Sequence, residues 1–176
     1  PLLLSSAASD VYKRQVKWWD LPGLGLDDPF PVAVLGQGPP LLLLHGFDSS
    51  FLEYRRLAPL LADRFQLFIP DLFGFGFSPR PSGTTYGPDA VLRHLDALLE
   101  LLPSEAPLGL IGASMGGSVA VELARRHPQR VGPLVLRKKL SMGLPGKPVT
   151  TKTFFKSQLH QDSESHLLPM ENVVTG

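Results

Sequence analysis

Apolar positions along this chain recur with two different periods, and stretches of each kind take turns. Val16-Lys17-Trp18-Trp19 and Val32-Ala33-Val34-Leu35 are short β-type runs joined by a Pro/Gly-rich connection, which predicts an antiparallel pair. Leu41-Leu42-Leu43-Leu44 is apolar without interruption and ends at His45-Gly46, as expected of a strand buried on both faces. Leu52 to Ala62 predicts a helix with Leu57, Leu60 and Leu61 as its apolar stripe. Gln66 to Asp71 predicts the next strand, and the glycine-rich segment from Leu72 to Ser78 leaves it as a loop. Between Asp89 and Leu102 a helix is predicted by Val91, Leu95, Leu98 and Leu102, with Arg93, His94 and Glu100 turned away from that stripe. Leu108 to Ile111 and Ser118 to Arg126 predict a further strand and helix, the helix stopped by His127-Pro128. Val131 to Leu136 predicts one more strand.

Strands and helices alternating at this spacing imply right-handed crossovers. The expected class is α/β: a mostly parallel, doubly wound sheet of about six strands with helices on both faces. After Leu136 the pattern stops. Arg137-Lys138-Lys139 ends the last strand, and Gly143, Pro145, Gly146 and Pro148 break the next stretch. Thr153-Phe154-Phe155 and His166-Leu167-Leu168 are isolated apolar islands. Residues 137–176 are therefore expected to be irregular apart from one short helix. At the other end, Ser5 to Gln15 resembles adapter-encoded peptide, so residues 1–15 are expected to be a non-native leader and residues 16–136 the core.

Composition narrows the function classes. With 176 residues, 43% apolar and 19% charged, the chain can bury one core. A net charge of +1 gives no reason to expect nucleic acid or an anionic membrane surface as partner. The absence of cysteine excludes disulfides, thiolate catalysis and cysteine-ligated metals, and suits a cytoplasmic location. No apolar run is long enough to span a membrane.

The chemistry concentrates at Gly112-Ala113-Ser114-Met115-Gly116, between a predicted strand and a predicted helix. This fits G-x-S-x-G, the sharp turn that presents a serine hydroxyl at the carboxyl end of a strand. The alternative for Ser114 is an ordinary helix N-cap. Two other glycine-containing loops come after strands: Leu44-His45-Gly46-Phe47-Asp48-Ser49-Ser50, and Pro70-Asp71-Leu72-Phe73-Gly74-Phe75-Gly76-Phe77-Ser78.

On these three segments, in this order, residues 16–136 resemble the N-terminal half of an α/β-hydrolase fold protein of the serine hydrolase or esterase type. The resemblance implies Ser114 as catalytic nucleophile and an oxyanion hole formed by the backbone N–H groups of Phe47 and Met115. It implies a small-molecule carboxylic ester or related acyl substrate and no metal or organic cofactor. Serine at this position sets the chain apart from the haloalkane and epoxide hydrolases of the fold, which use aspartate there. His45 is expected to brace the oxyanion loop, and Asp71 to tie its own loop to neighbouring amides. Phe47, Phe73, Phe75 and Phe77 are expected either to line an acyl pocket or to plug the core. His94 and His127 are expected to be non-catalytic.

In this fold the acid and the histidine come after the serine in the chain. No Asp or Glu occurs from Arg137 through Gln161; Asp162, Glu164 and His166 come later, with His160 nearby, in Ser/Gln-rich sequence. The competing expectation is therefore a truncated or chimeric non-catalytic fragment lacking the cap and the last two strands. Its exposed sheet edge would favour self-association.

Overall fold

The structure, a computed structural model, describes residues 15–137 and the backbone of residues 152–154. Six strands form in the expected places: β1 (Val16–Trp19), β2 (Phe30–Leu35), β3 (Pro40–Leu44), β4 (Gln66–Pro70), β5 (Leu108–Ala113) and β6 (Val131–Arg137). A seventh, β7 (Lys152–Phe154), runs antiparallel to β6, where the sequence pattern predicts irregular chain. Three residues are too few to show a period, which is why that pattern does not find it. The sheet order is β1-β2-β4-β3-β5-β6-β7. Pairings β4/β3, β3/β5 and β5/β6 are parallel, while β1/β2 and β2/β4 are antiparallel.

The four leucines of β3 explain the layering. Side chains alternate across a strand, so Leu42 and Leu44 join one apolar cluster and Leu41 and Leu43 join the other. The first cluster is closed by α2 (Pro88–Leu101) and α3 (Met115–Arg126), through Val91, Leu95, Leu98, Val119 and Leu123. The second is closed by Phe51, Tyr54 and Ala58, from a 3₁₀ turn (Phe51–Tyr54) and the four-residue α1 (Ala58–Leu61). Helical segments thus cover both faces. Each leucine removed wholly from water contributes about 2 kcal/mol.

Two expected helices are corrected. The stretch from Leu52 to Ala62 is not one helix. Ser50 caps a 3₁₀ turn through Oγ, which accepts the Leu52 N–H at 3.3 Å, and α1 starts only beside Pro59, which suits a first helical turn. Leu60, expected in the apolar stripe, is 73% exposed. In the other case α3 begins at Met115 rather than Ser118, directly after the elbow serine.

The buried state of His94 is the largest correction. Its expected place is the polar face of α2, yet it is fully buried. The reason is geometric: positions 91, 94, 95 and 98 are spaced i, i+3, i+4, i+7 and share one face. Arg93 and Glu100 are exposed as expected. The carbonyls just after the end of α2 are held by Arg130, whose Nη2 donates to Leu102 O at 2.9 Å and also to Pro103 O. No helix among the described residues is long and apolar enough to cross a membrane.

Candidate active site

Ser114 leaves β5 at φ 52°, ψ −116°, a positive φ that only one other non-glycine residue, Asp48, shares among the described residues. Such a conformation costs on the order of 1–3 kcal/mol and persists only where neighbours enforce it. Backbone bonds do so on both sides. The Ser114 N–H donates to Arg137 O at 2.9 Å, and Ser114 O accepts from Gly117 N at 2.9 Å and Ser118 N at 3.4 Å. The glycines allow the approach: a Cβ on Gly116 would overlap the Leu44 carbonyl, and one on Gly112 would overlap the Gly116 carbonyl. Strand and helix are packed backbone to backbone here.

The Ser114 side chain makes no capping hydrogen bond, although the residue holds the N-cap position of α3. The residue is exposed, and its φ is not that of an N-cap, which normally lies in the β region. The ordinary capping alternative fails on both counts. Among the described residues the N–H groups of Met115 and Phe47 have no acceptor. Met115 opens α3, where first-turn N–H groups are free and the helix dipole favours negative charge.

The loop carrying Phe47 is held against the elbow. A Cβ on Gly46 would lie 3.3 Å from the Ser114 Cβ. Three side chains fix this loop. The Gly46 N–H donates to Glu53 Oε2 at 2.8 Å. His45 is fully buried; the Leu72 N–H donates to its Nε2 at 2.9 Å, so the ring proton sits on Nδ1 and is donated to Gly46 O at 2.8 Å. Burial lowers the His45 pKa, against the raising effect of the Gly46 carbonyl and of Glu53. Tyr54, below, donates its hydroxyl to Leu44 O at 2.8 Å. Glu53 and Tyr54 are contacts that sequence reading misses, because neither belongs to any of the three motifs.

Asp71 anchors the second loop. It is buried, and its two carboxylate oxygens accept the Phe51 N–H at 2.5 Å and the Phe77 N–H at 2.6 Å. Burial pushes its pKa up to about 6, outweighing the two amide donors and Arg80. His45 and Asp71 thus tie the loops after β3 and β4 to one another.

Beside the elbow is an apolar cavity of about 540 Å³. Phe47, Phe73 and Phe75 line it, together with Met115 and Val119 of α3. Phe77 does not; it packs on Phe51 with ring centroids 5.6 Å apart. Tyr86, to which no motif points, completes the wall and stacks on Phe73 at 5.5 Å.

Neither of the other described histidines, His94 and His127, bonds to the serine. His94 packs on Phe30 at 4.8 Å between ring centroids, and neither of its ring nitrogens has a hydrogen-bond partner. Burial first, and His45 second, lower its pKa to about 3, so it is neutral. His127 ends α3 and pairs through Nε2 with Asp96 at 2.7 Å. His160, Asp162, Glu164 and His166 lie outside the described residues, as does most of the expected irregular tail. Among the described residues no group of three or more His, Asp or Glu side chains is placed to hold a metal ion.

The alpha/beta hydrolase fold family matches residues 39–164, a stretch that runs past β6 into residues that the apolar pattern sets apart. The chain is 36% identical over 113 residues to 2-hydroxymuconate semialdehyde hydrolase of Pseudomonas sp. (strain CF600), covering 62% of this chain and 40% of that protein. It is 37% identical over 100 residues to pimeloyl-acyl-carrier-protein methyl ester esterase of Aeromonas hydrophila subsp. hydrophila, covering 57% and 37%. A solved structure of a meta-cleavage product hydrolase from Pseudomonas fluorescens IP01 superposes with a TM-score of 0.56 at 28% identity, covering 60% of this chain and 40% of that one. The chain spans about two fifths of the length of the relatives it matches.

Proposed function

Because the chain belongs to the alpha/beta hydrolase fold family, we propose that it is the core of a serine hydrolase acting on carboxylic esters or related acyl compounds. One observation carries this reading: the strained, exposed Ser114 turn stands beside an apolar cavity and two backbone N–H groups that have no acceptor among the described residues. Strain at a site that the surrounding backbone over-determines is a mark of function rather than of packing.

In this reading Ser114 Oγ attacks the ester carbonyl. The oxygen that gains charge is met by the N–H groups of Met115 and Phe47, which need no reorganisation at that moment. The C–O bond to the alcohol breaks, the alcohol leaves with a proton, and water then releases the acid from the acyl-serine. His45 and Glu53 act through the loop: by fixing Gly46 they fix Phe47. The proton on Ser114 needs a base. His45 has both nitrogens engaged, His94 is buried, and His127 is at the far end of α3. The remaining histidines of the chain are His160 and His166.

Turnover of p-nitrophenyl acetate tests the reading. Activity is expected in the full chain and lost in Ser114→Ala, with His160→Ala and His166→Ala testing whether either ring serves as base. No turnover above that of Ser114→Ala would favour the competing account, a hydrolase core without catalysis.

A further inference from the structure

Two residues that line the apolar cavity are also exposed, Phe47 at 66% and Tyr86 at 46%, so the Tyr86 ring forms part of the wall between the cavity and solvent. Three contacts hold that ring. It stacks on Phe73 with an interplanar angle of 22°; its hydroxyl donates to Pro81 O at 3.0 Å; and its edge lies on the backbone of Gly74. Gly74 has φ +81°, and a Cβ there would sit 2.7 Å from Tyr86 Cδ1. Glycine at 74 is needed both for the backbone conformation and for the seat of the tyrosine.

The cavity also has two unlike ends along α3. Met115, next to the serine, and Glu122, two turns on, both line it. Seven residues of helix span roughly 10 Å. At the far end the Glu122 carboxylate pairs with Arg125 at 2.8 Å and Arg126 at 3.1 Å, so the apolar lining ends beside a solvent-exposed ion pair.

We propose that this cavity takes the unbranched aliphatic acyl chain of the substrate, and that Tyr86, seated on Gly74, sets the length of chain accepted. The proposal rests on Ser114 as the acylated residue, since it places the chain beside Met115. A chain entering from the serine end meets apolar walls, then the tyrosine ring, then the Glu122–Arg pair. Removing the ring opens the side wall, and longer chains leave past it. Enlarging the ring shortens the channel.

The experiment has two arms. The first measures kcat/KM for p-nitrophenyl esters from acetate to dodecanoate in the wild type, Tyr86→Ala, Tyr86→Trp and Gly74→Ala. In the wild type kcat/KM is expected to rise about fourfold per methylene and then fall at a limit. Tyr86→Ala and Gly74→Ala move that limit to longer esters, and Tyr86→Trp to shorter ones. The second arm needs no turnover: fatty acids of the same lengths displace cis-parinaric acid from Ser114→Ala, with and without Tyr86→Ala. The same shift in preferred length is expected there. A length profile unchanged by Tyr86→Ala in both arms overturns the proposal, even with Ser114 fully active. A shifted profile in displacement without any turnover upholds the chain site and removes the serine reading instead.

Discussion

Ser114 and His127 stand at opposite ends of α3, about 20 Å apart by helical rise, and their surroundings differ in kind. At the His127 end, an imidazole and a carboxylate meet at 2.7 Å, with Arg126 also on Asp96 at 3.2 Å. The side chains there are about one-third exposed and the backbone is unstrained. At the Ser114 end no side chain pairs with the hydroxyl among the described residues, yet the backbone is forced into a positive φ and two amides are left open. A His–Asp pair at hydrogen-bond distance is thus only surface electrostatics unless a strained nucleophile and unpaired donors stand beside it. Here the pair and the nucleophile are on different ends of one helix.

The contrast predicts unequal damage. Gly116→Val at the serine end drives a side chain into the Leu44 carbonyl, and is expected to cost about 3 kcal/mol in urea denaturation. A cost below about 1 kcal/mol would mean that strand and helix are not packed backbone to backbone at the elbow.

The next largest effect depends on pH and separates buried from exposed histidine. His94 has its pKa lowered to about 3, against 6.5 when unfolded. Between these values the unfolded chain binds the extra proton, so the His94 contribution to stability rises with pH across the window, with a slope that approaches about 1.4 kcal/mol per pH unit. His45, whose pKa burial also lowers, adds with the same sign. Asp71, raised from 3.8 to about 6, contributes with the opposite sign between those two values. In His94→Phe the slope should fall markedly; an unchanged slope would show that His94 is not the group responsible.

Smaller changes are expected at each end of α3. Ser114→Gly relieves the positive φ and should raise stability by about 1 kcal/mol while abolishing turnover. Equal stability of the two proteins would remove the argument from strain. Asp96→Asn, breaking the exposed pair, should cost about 0.5 kcal/mol and leave ester turnover as it was. A loss of turnover there would tie the far end of the helix to the chemistry after all.

How much of this can be seen in the sequence depends on range. The elbow is legible because its requirements are local: two glycines where strand meets helix, and a serine between them. The strands β3 and β5 announce themselves by unbroken apolar runs. His94 is misplaced by the sequence reading: its polar character puts it on the outer face of the helix, although its spacing from Val91 and Leu98 is that of the buried stripe. The seats of Glu53 under Gly46 and of Tyr86 on Gly74 are not legible. They join residues 7 and 12 positions apart across loops that carry no period. The strand β7 gives no signal because three residues carry no alternation.

Everything at the Ser114 end turns on the reactivity of one hydroxyl. Incubating the full chain with a fluorophosphonate and mapping the modified peptide by mass spectrometry tests it most directly. The expected result is one phosphonylated serine, Ser114, with no label in Ser114→Ala and full label in His127→Ala. Label on Ser118 or another exposed serine, or an unlabelled Ser114 in the folded chain, would contradict it.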